Sequence, residues 1–249
     1  MTEGSPPQGL SGIDIAVLAG GLGTRLRGVL DDRPKVLAPI NGRPFLDYLI
    51  DWLAGFGARR LILCLGHLSG TVTTHLAGRP AGPVEIVPVI EPAPLGTAGA
   101  LRFARPHLRS NPVLVLNGDT FFDVDLGLFA DRHRATAPLA SLLCAEIDDV
   151  SRYGRLELDE AGYVARFIEK DPGRGDPGLI NAGIYLFSAA LLDRIMAVDG
   201  PSLERDILQT LGPGQIRADV RRGTFIDIGT PQSLATASEI FPPEPKSPP

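Results

Sequence analysis

Five apolar runs, at 13–18, 60–65, 84–90, 113–117 and 138–147, alternate along the chain with amphipathic stretches at 44–57, 69–77, 97–109 and 126–134. Short continuous apolar runs suit strands buried on both faces, and the stretches between them carry a helical period. That alternation predicts an α/β domain in which a mostly parallel, mixed sheet is flanked by helices on both faces. Segments 154–170 and 179–187 read as hairpin-type strands added to the sheet, the first interrupted at Asp159-Glu160-Ala161-Gly162. A short β-like run at 225–228 precedes a helix over 231–240. Residues 1–12 and 241–249 are rich in Pro, Gly and Ser and are expected to be flexible tails around a single domain, 13–240. In open α/β sheets ligands collect beyond the carboxyl ends of the strands, so the loops after the apolar runs are the places to look for chemistry.

Composition narrows the classes. With 249 residues, 44% of them hydrophobic, the chain can bury one sizeable core. Lys and Arg number 24 against 29 Asp and Glu, a net charge of −5 that argues against a nucleic-acid partner. No apolar run approaches the ~20 residues of a membrane helix, so no membrane partner is expected. The two cysteines, Cys64 and Cys144, lie inside apolar runs and read as reduced core thiols of a cytoplasmic protein. His67, His75, His107 and His133 lack metal-ligand spacing and read as structural or surface groups, with His67 the one nearest a site edge.

The richest segment follows the first apolar run. Leu18-Ala19-Gly20-Gly21-Leu22-Gly23-Thr24-Arg25 breaks a strand with three glycines, which let backbone N–H groups approach an anion closely. Arg25 and Lys35 can add positive charge to the same phosphates. The dinucleotide fingerprint is broken, since Leu26 stands where a third glycine is needed, and no Walker-type GK[ST] ends the loop. The alternative for the glycines alone is a plain turn.

Leu18 to Arg27, followed by Pro34-Lys35-Val36-Leu37-Ala38-Pro39-Ile40, resembles the signature of the sugar-1-phosphate nucleotidylyltransferases. Val36 departs from it, replacing a second proline. The resemblance implies a Rossmann-like domain of the nucleotide-diphospho-sugar transferase type, spans residues 13–240, and implies a nucleoside triphosphate and a sugar 1-phosphate as substrates. It assigns Leu18, Gly20, Gly21, Gly23, Thr24, Arg25 and Lys35 to the nucleotide. Glu91, Pro94, Gly96 and Thr97, in the loop after the run at 84–90, would hold the base, with Asn117 and Gly118 beside them. Glu91 is a pure acceptor when ionised, which suits the adjacent N1–H and N2 donors of guanine and favours GTP.

Asp119 ends the run Val113–Leu116 plus Asn117-Gly118, and Asp227 lies in Phe225-Ile226-Asp227-Ile228-Gly229-Thr230-Pro231. Either could merely cap a following turn or helix. The resemblance instead makes the two carboxylates the ligands of a Mg²⁺ cofactor, a hard ion that favours oxygen donors. Arg152-Tyr153-Gly154, Phe167-Ile168-Glu169-Lys170 and Asn181-Ala182-Gly183 resemble the sugar-side motifs. They assign Gly154, Glu169, Asn181 and Gly183 to the sugar and Lys170 to its phosphate, although Asp171 and Pro172 stand where a proline normally follows Glu-Lys directly. The catalytic set implied is Arg25, Lys35, Asp119, Lys170 and Asp227. Stretches 117–126, 151–170, 179–187 and 225–234 most resemble a branch of the family that acts on a heptose 1-phosphate with GTP. Branches using mannose 1-phosphate with GTP, or N-acetylmuramate 1-phosphate with UTP, are the rivals. A non-catalytic regulatory subunit is the alternative of a different class, and the retained Lys35, Asp119, Lys170 and Asp227 argue against it.

Overall fold

In the central strand the apolar residues divide by parity, and that division builds the domain. Ile15 and Val17 point to one core with Leu61, Leu63, Leu65, Leu114 and Leu116; Ala16 points to the other with Ile62, Cys64, Val113 and Val115. Alternation of this kind, with both faces apolar, needs helices on both sides. The computed structural model describes residues 9–26, 28–30, 33–171, 173 and 175–241. In chain order its first half comprises β1 (Ile15–Leu18), β2 (Pro39–Ile40), β3 (Arg43–Pro44), α1 (Phe45–Gly55), β4 (Arg60–Leu65), α2 (Ser69–Ala77), β5 (Glu85–Ile90), α3 (Gly96–Ala104), β6 (Val113–Asn117) and β7 (Thr120–Phe122). The second half comprises α4 (Leu126–Thr136), β8 (Ala140–Ile147), β9 (Arg155–Leu158), β10 (Val164–Ile168), β11 (Gly178–Phe187), α5 (Ala189–Met196), β12 (Ile216–Arg221), β13 (Phe225–Asp227) and α6 (Pro231–Ile240).

β1 pairs in parallel with β4 and β6, and β5 extends the sheet in parallel beyond β4. β11 is antiparallel to β6 and to β8, while β12 returns in parallel beside β8. The β9–β10 hairpin joins the N-terminal half of β11, where Arg155 opposes Ile180. The sheet is therefore mixed, with a parallel heart, as the alternation predicts. Side chains of α1, α2 and α4 (Leu49, Val72, Phe129) cover one face. Those of α3 and α5 (Leu101, Leu192) cover the other.

A third cluster controls the site. Leu26, Ile40, Phe45, Phe121, Ile226, Leu234 and Phe241 pack together, tying the first loop, the β2–β3 and β7–β13 ribbons and α6 to one another. Burying a side chain of that size contributes about 1.5–3 kcal/mol. The expectation of loose tails through residue 12 and from residue 241 needs correcting at both inner ends. Leu10 is fully buried and its N–H donates to the Phe56 carbonyl at 2.8 Å. Phe241 packs against Tyr48, tilted, and against Phe121, edge-on, at centroid distances of 4.7 and 4.9 Å. In both cases one apolar residue at the end of a polar tract finds a pocket and anchors the chain.

His133 on α4 is 4% exposed and meets the Ser141 hydroxyl at 2.8 Å, and burial lowers its pKa from 6.5 to about 4. Between those values the unfolded chain binds a proton that the folded chain refuses, so stability falls with decreasing pH. Chemical denaturation should show the midpoint dropping between about pH 7 and about pH 4.5, with a shallower drop in His133→Gln.

Candidate active site

β1, β4, β5 and β6 end side by side, and backbone bonds carry the alignment into their loops. The Ala19 N–H donates to the Cys64 carbonyl, Gly118 N–H to the Leu18 carbonyl and Glu91 N–H to the Leu65 carbonyl, at 2.8–2.9 Å. A Cβ on Gly118 would come within 3.0 Å of the Leu18 carbonyl oxygen and of Ala19 Cβ, so a larger residue would push these strand ends apart. A cavity of about 390 Å³ opens at this edge, within the roughly 300–1,000 Å³ of small-molecule sites. Leu18, Gly20, Gly21, Gly23, Arg25, Lys35, Glu91, Pro94, Gly96, Thr97, Asn117 and Gly118 line it, together with Asp119 and Gly229. The Thr24 side chain, Arg27 and Pro172 lie outside the described residues.

The glycines differ in purpose. A Cβ on Gly21 would meet nothing within 4 Å, leaving its backbone open to the cavity. On Gly20 it would stand 2.9 Å from Glu91 Oε1, and on Gly66, 2.4 Å from the same atom. These two positions make room for the Glu91 carboxyl, whose other oxygen accepts from the Leu95 N–H at 3.3 Å. Burial raises the pKa of Glu91, an effect opposed by that bond. The sequence marks Gly66 only as a glycine that ends an apolar run. Thr97 lines the cavity, but its hydroxyl also accepts from the Leu203 N–H at 2.8 Å.

The main sheet does not bring the two site aspartates together. A two-stranded ribbon does. β7 pairs antiparallel with β13 so that Asp227 opposes Thr120, and Ile228 N–H donates to the Asp119 carbonyl at 3.0 Å. Lys35, delivered by the short 3₁₀ turn Lys35–Leu37, places its ammonium between the carboxylates. It hydrogen-bonds Asp119 Oδ2 and lies 3.6 Å from Asp227 Oδ1. Burial and the neighbouring Asp119 charge raise the pKa of Asp227, opposed by Lys35, by the Gly229 N–H and by Arg25. The Gly229 N–H donates to Asp227 Oδ1 at 2.6 Å, and a Cβ on Gly229 would lie 2.9 Å from Lys35 Nζ. Neither aspartate serves as a helix cap: Thr230 caps α6 through the Ser233 N–H, and Asp125 caps α4. Val36, the departure from the signature, is buried against Gly118.

The residues expected to hold the sugar and its phosphate, Gly154, Glu169, Lys170, Asn181 and Gly183, lie outside this cavity. Glu169 and Lys170 follow β10 and are exposed. The residues before Gly154 reach the aspartate side: Arg152 donates to the Thr230 hydroxyl at 3.1 Å, and Tyr153 packs edge-on against Phe225 at 5.7 Å. A Cβ on Gly154 would come within 3.1 Å of the Ile168 carbonyl, and one on Gly183, at φ +68°, within 2.4 Å of Asn117 Nδ2. His67 borders a smaller recess with Gly21, Gly23, Arg33 and Lys35. His75 and His133 pair with Asp47 and Ser141, and the His107 carbonyl accepts from Arg60.

The nucleotidyl transferase family model matches residues 15–242. The D-glycero-alpha-D-manno-heptose 1-phosphate guanylyltransferase of Campylobacter jejuni is 34% identical over 216 residues, covering 87% of this chain and 94% of that protein. The mannose-1-phosphate guanylyltransferase of Mycobacterium tuberculosis is 32% identical over 231 residues, covering 91% of this chain and 64% of that protein. HddC from Yersinia pseudotuberculosis, solved in complex with GMP-PN, superposes with a TM-score of 0.81 at 34% identity, covering 92% of this chain and all of that one. A glycine-loop cavity with a lysine set between two aspartates, on a fold shared over nearly the whole length, makes this chain a member of the nucleotidyl transferase family.

Proposed function

We propose that the chain transfers GMP from GTP onto D-glycero-α-D-manno-heptose 1-phosphate with the help of Mg²⁺, giving GDP-heptose and pyrophosphate. The meeting of Lys35, Asp119 and Asp227 beside the glycine loop carries this reading. The C. jejuni relative's name supports the heptose, and the GMP-PN complex of HddC supports guanine. Mannose 1-phosphate is the second reading, favoured by the M. tuberculosis relative at 32% identity.

The carboxylate pair suits a divalent cation. Its donors are hard oxygens, a cation (the Lys35 ammonium) already lies between them, and Gly229 preserves space that a Cβ would fill. Asp119 and Asp227 would hold the ion, with phosphate oxygens and water supplying the remaining ligands. Bound there, Mg²⁺ neutralises charge on the triphosphate.

In the reaction an oxygen of the sugar phosphate bonds to the α-phosphorus as the bond to the bridging oxygen breaks, and the electron pair leaves with pyrophosphate. Phosphomonoesters lose their second proton near about pH 6, so the attacking group needs no general base at neutral pH. The barrier is the approach of two anions, which positioning and opposing charge lower. Arg25 and Lys35 border the triphosphate's place. The Lys35 stem begins beside Gly23, 4.0 Å from where a Cβ would be, so its flexible chain can carry the ammonium from carboxylates to phosphates. Lys170, exposed after β10, would meet the acceptor phosphate.

Pyrophosphate release, measured with four nucleoside triphosphates against heptose and mannose 1-phosphates, should be fastest for GTP with the heptose ester. Turnover with UTP alone would overturn the base assignment. Lys35→Met should lower kcat by about 10²–10³-fold, on the scale of ~2.7–4 kcal/mol for one lost charge-stabilising donor. Its circular dichroism should match wild type, and near-normal turnover would remove Lys35 from the chemistry. Gly229→Ala should cut kcat/KM at least about tenfold, ~1.4 kcal/mol or more, because its methyl displaces both the ammonium and Asp227. A small change in melting temperature should accompany that loss.

A further inference from the structure

Asn181 has little left to offer a ligand. Its Nδ2 donates to the Tyr185 hydroxyl and to Glu204 Oε1, both at 2.8 Å, and its Oδ1 accepts from the Gly183 N–H at 2.8 Å. Both amide hydrogens are spent inside the protein. The Tyr185 side chain is 1% exposed, and its hydroxyl adds a bond to Glu204 Oε1 at 3.4 Å. One carboxylate oxygen is thus clamped from two sides, while among the described residues Oε2 has no partner.

Glu204 stands at the surface rather than in the core. It lies on a π-helical turn, Leu203–Ile207, whose start is pinned to the nucleotide side. Leu203 N–H donates to Thr97 Oγ1 at 2.8 Å, Ala98 N–H donates to the Pro201 carbonyl at 2.9 Å, and a Cβ on Gly96 would collide with that carbonyl at 2.4 Å. The turn therefore bridges the cavity wall and the Asn181 strand. Glu204 is solvent-exposed as a residue. Crowding by protein nonetheless raises its carboxyl pKa, and the charge of Glu169 adds to the rise against the bonds from Tyr185 and Asn181. A carboxylate that is open to solvent, clamped through one oxygen and near enough to Glu169 to feel its charge leaves its other oxygen to a neutral donor, which a sugar hydroxyl supplies.

We propose that Glu204 reads a hydroxyl of the acceptor sugar through its free oxygen, and that Asn181 is a positioning residue acting through Glu204 rather than a sugar contact. The inference rests on the sugar 1-phosphate reading above and adds a specificity-determining residue to it.

Steady-state pyrophosphate release with the parent sugar 1-phosphate and its monodeoxy analogues tests this. Glu204→Gln should raise KM for the parent sugar ester at least about tenfold and leave KM for GTP unchanged. For one monodeoxy analogue the penalty should vanish, because the hydroxyl that Glu204 reads is already gone. Asn181→Ala should give the same pattern, and adding it to Glu204→Gln should change kcat/KM by less than about twofold, the sign of action through a shared partner. If Asn181→Ala does not fold, the deoxy series on Glu204→Gln decides alone. An equal penalty on every analogue, no penalty at all, or multiplying effects in the double variant would each overturn the proposal while leaving the reaction in place. Failure of the wild-type chain to use any sugar 1-phosphate would overturn the reaction and this inference together.

Discussion

Two carboxylates brought together in a partly buried place repel one another, and a cation between them is what makes the arrangement tenable. Asp119 and Asp227 are in that position, and the Lys35 ammonium supplies the opposing charge. The raised pKa of Asp227, caused by burial and by the Asp119 charge, is the mark of the unrelieved part of that repulsion. Much of the surrounding structure serves this contact. Gly229 leaves room for the ammonium, the 3₁₀ turn at Lys35–Leu37 aims it, and the β7–β13 ribbon brings in the second aspartate.

The ribbon in turn depends on packing rather than on polar bonds alone. Phe121 and Ile226 lie in a cluster that also holds Leu26 of the first loop and Leu234 of α6. One apolar cluster therefore fixes the glycine loop, the β7–β13 ribbon beside both carboxylates and the C-terminal helix relative to each other. The parallel heart of the sheet sets the other half of the geometry by ending β1, β4, β5 and β6 at one edge. Charge placement at the site is thus a consequence of side-chain burial some distance from it.

Much of this was legible in the residues. The apolar runs marked β1, β4, β5, β6 and β8 within two residues at either end; in β1, β4, β6 and β8, burial on both faces leaves little polar alternation to blur the bounds. The first loop was legible because its glycines and cations are contiguous. β7, α5 and β12 escaped notice: β7 is three residues long, and its pairing with β13 is a long-range event with no local period. Ser188, which caps α5 through the Leu191 N–H, was the available signal for that helix. The anchors Leu10 and Phe241 were hidden by polar, Pro-rich neighbours. Glu204 could not be found from its surroundings in the sequence, since its partners Asn181 and Tyr185 come from a strand distant along the chain. Spacing also gave no warning that the Asn181 amide is committed internally.

The central claim is that Asp119 and Asp227 share a single divalent cation beside the bound triphosphate. Titration of Mn²⁺ followed by electron paramagnetic resonance, with a non-hydrolysable GTP analogue present, tests it directly. The account predicts one tightly held ion per chain, released to solution in Asp119→Asn and in Asp227→Asn alike. Wild-type affinity retained in either variant would contradict it.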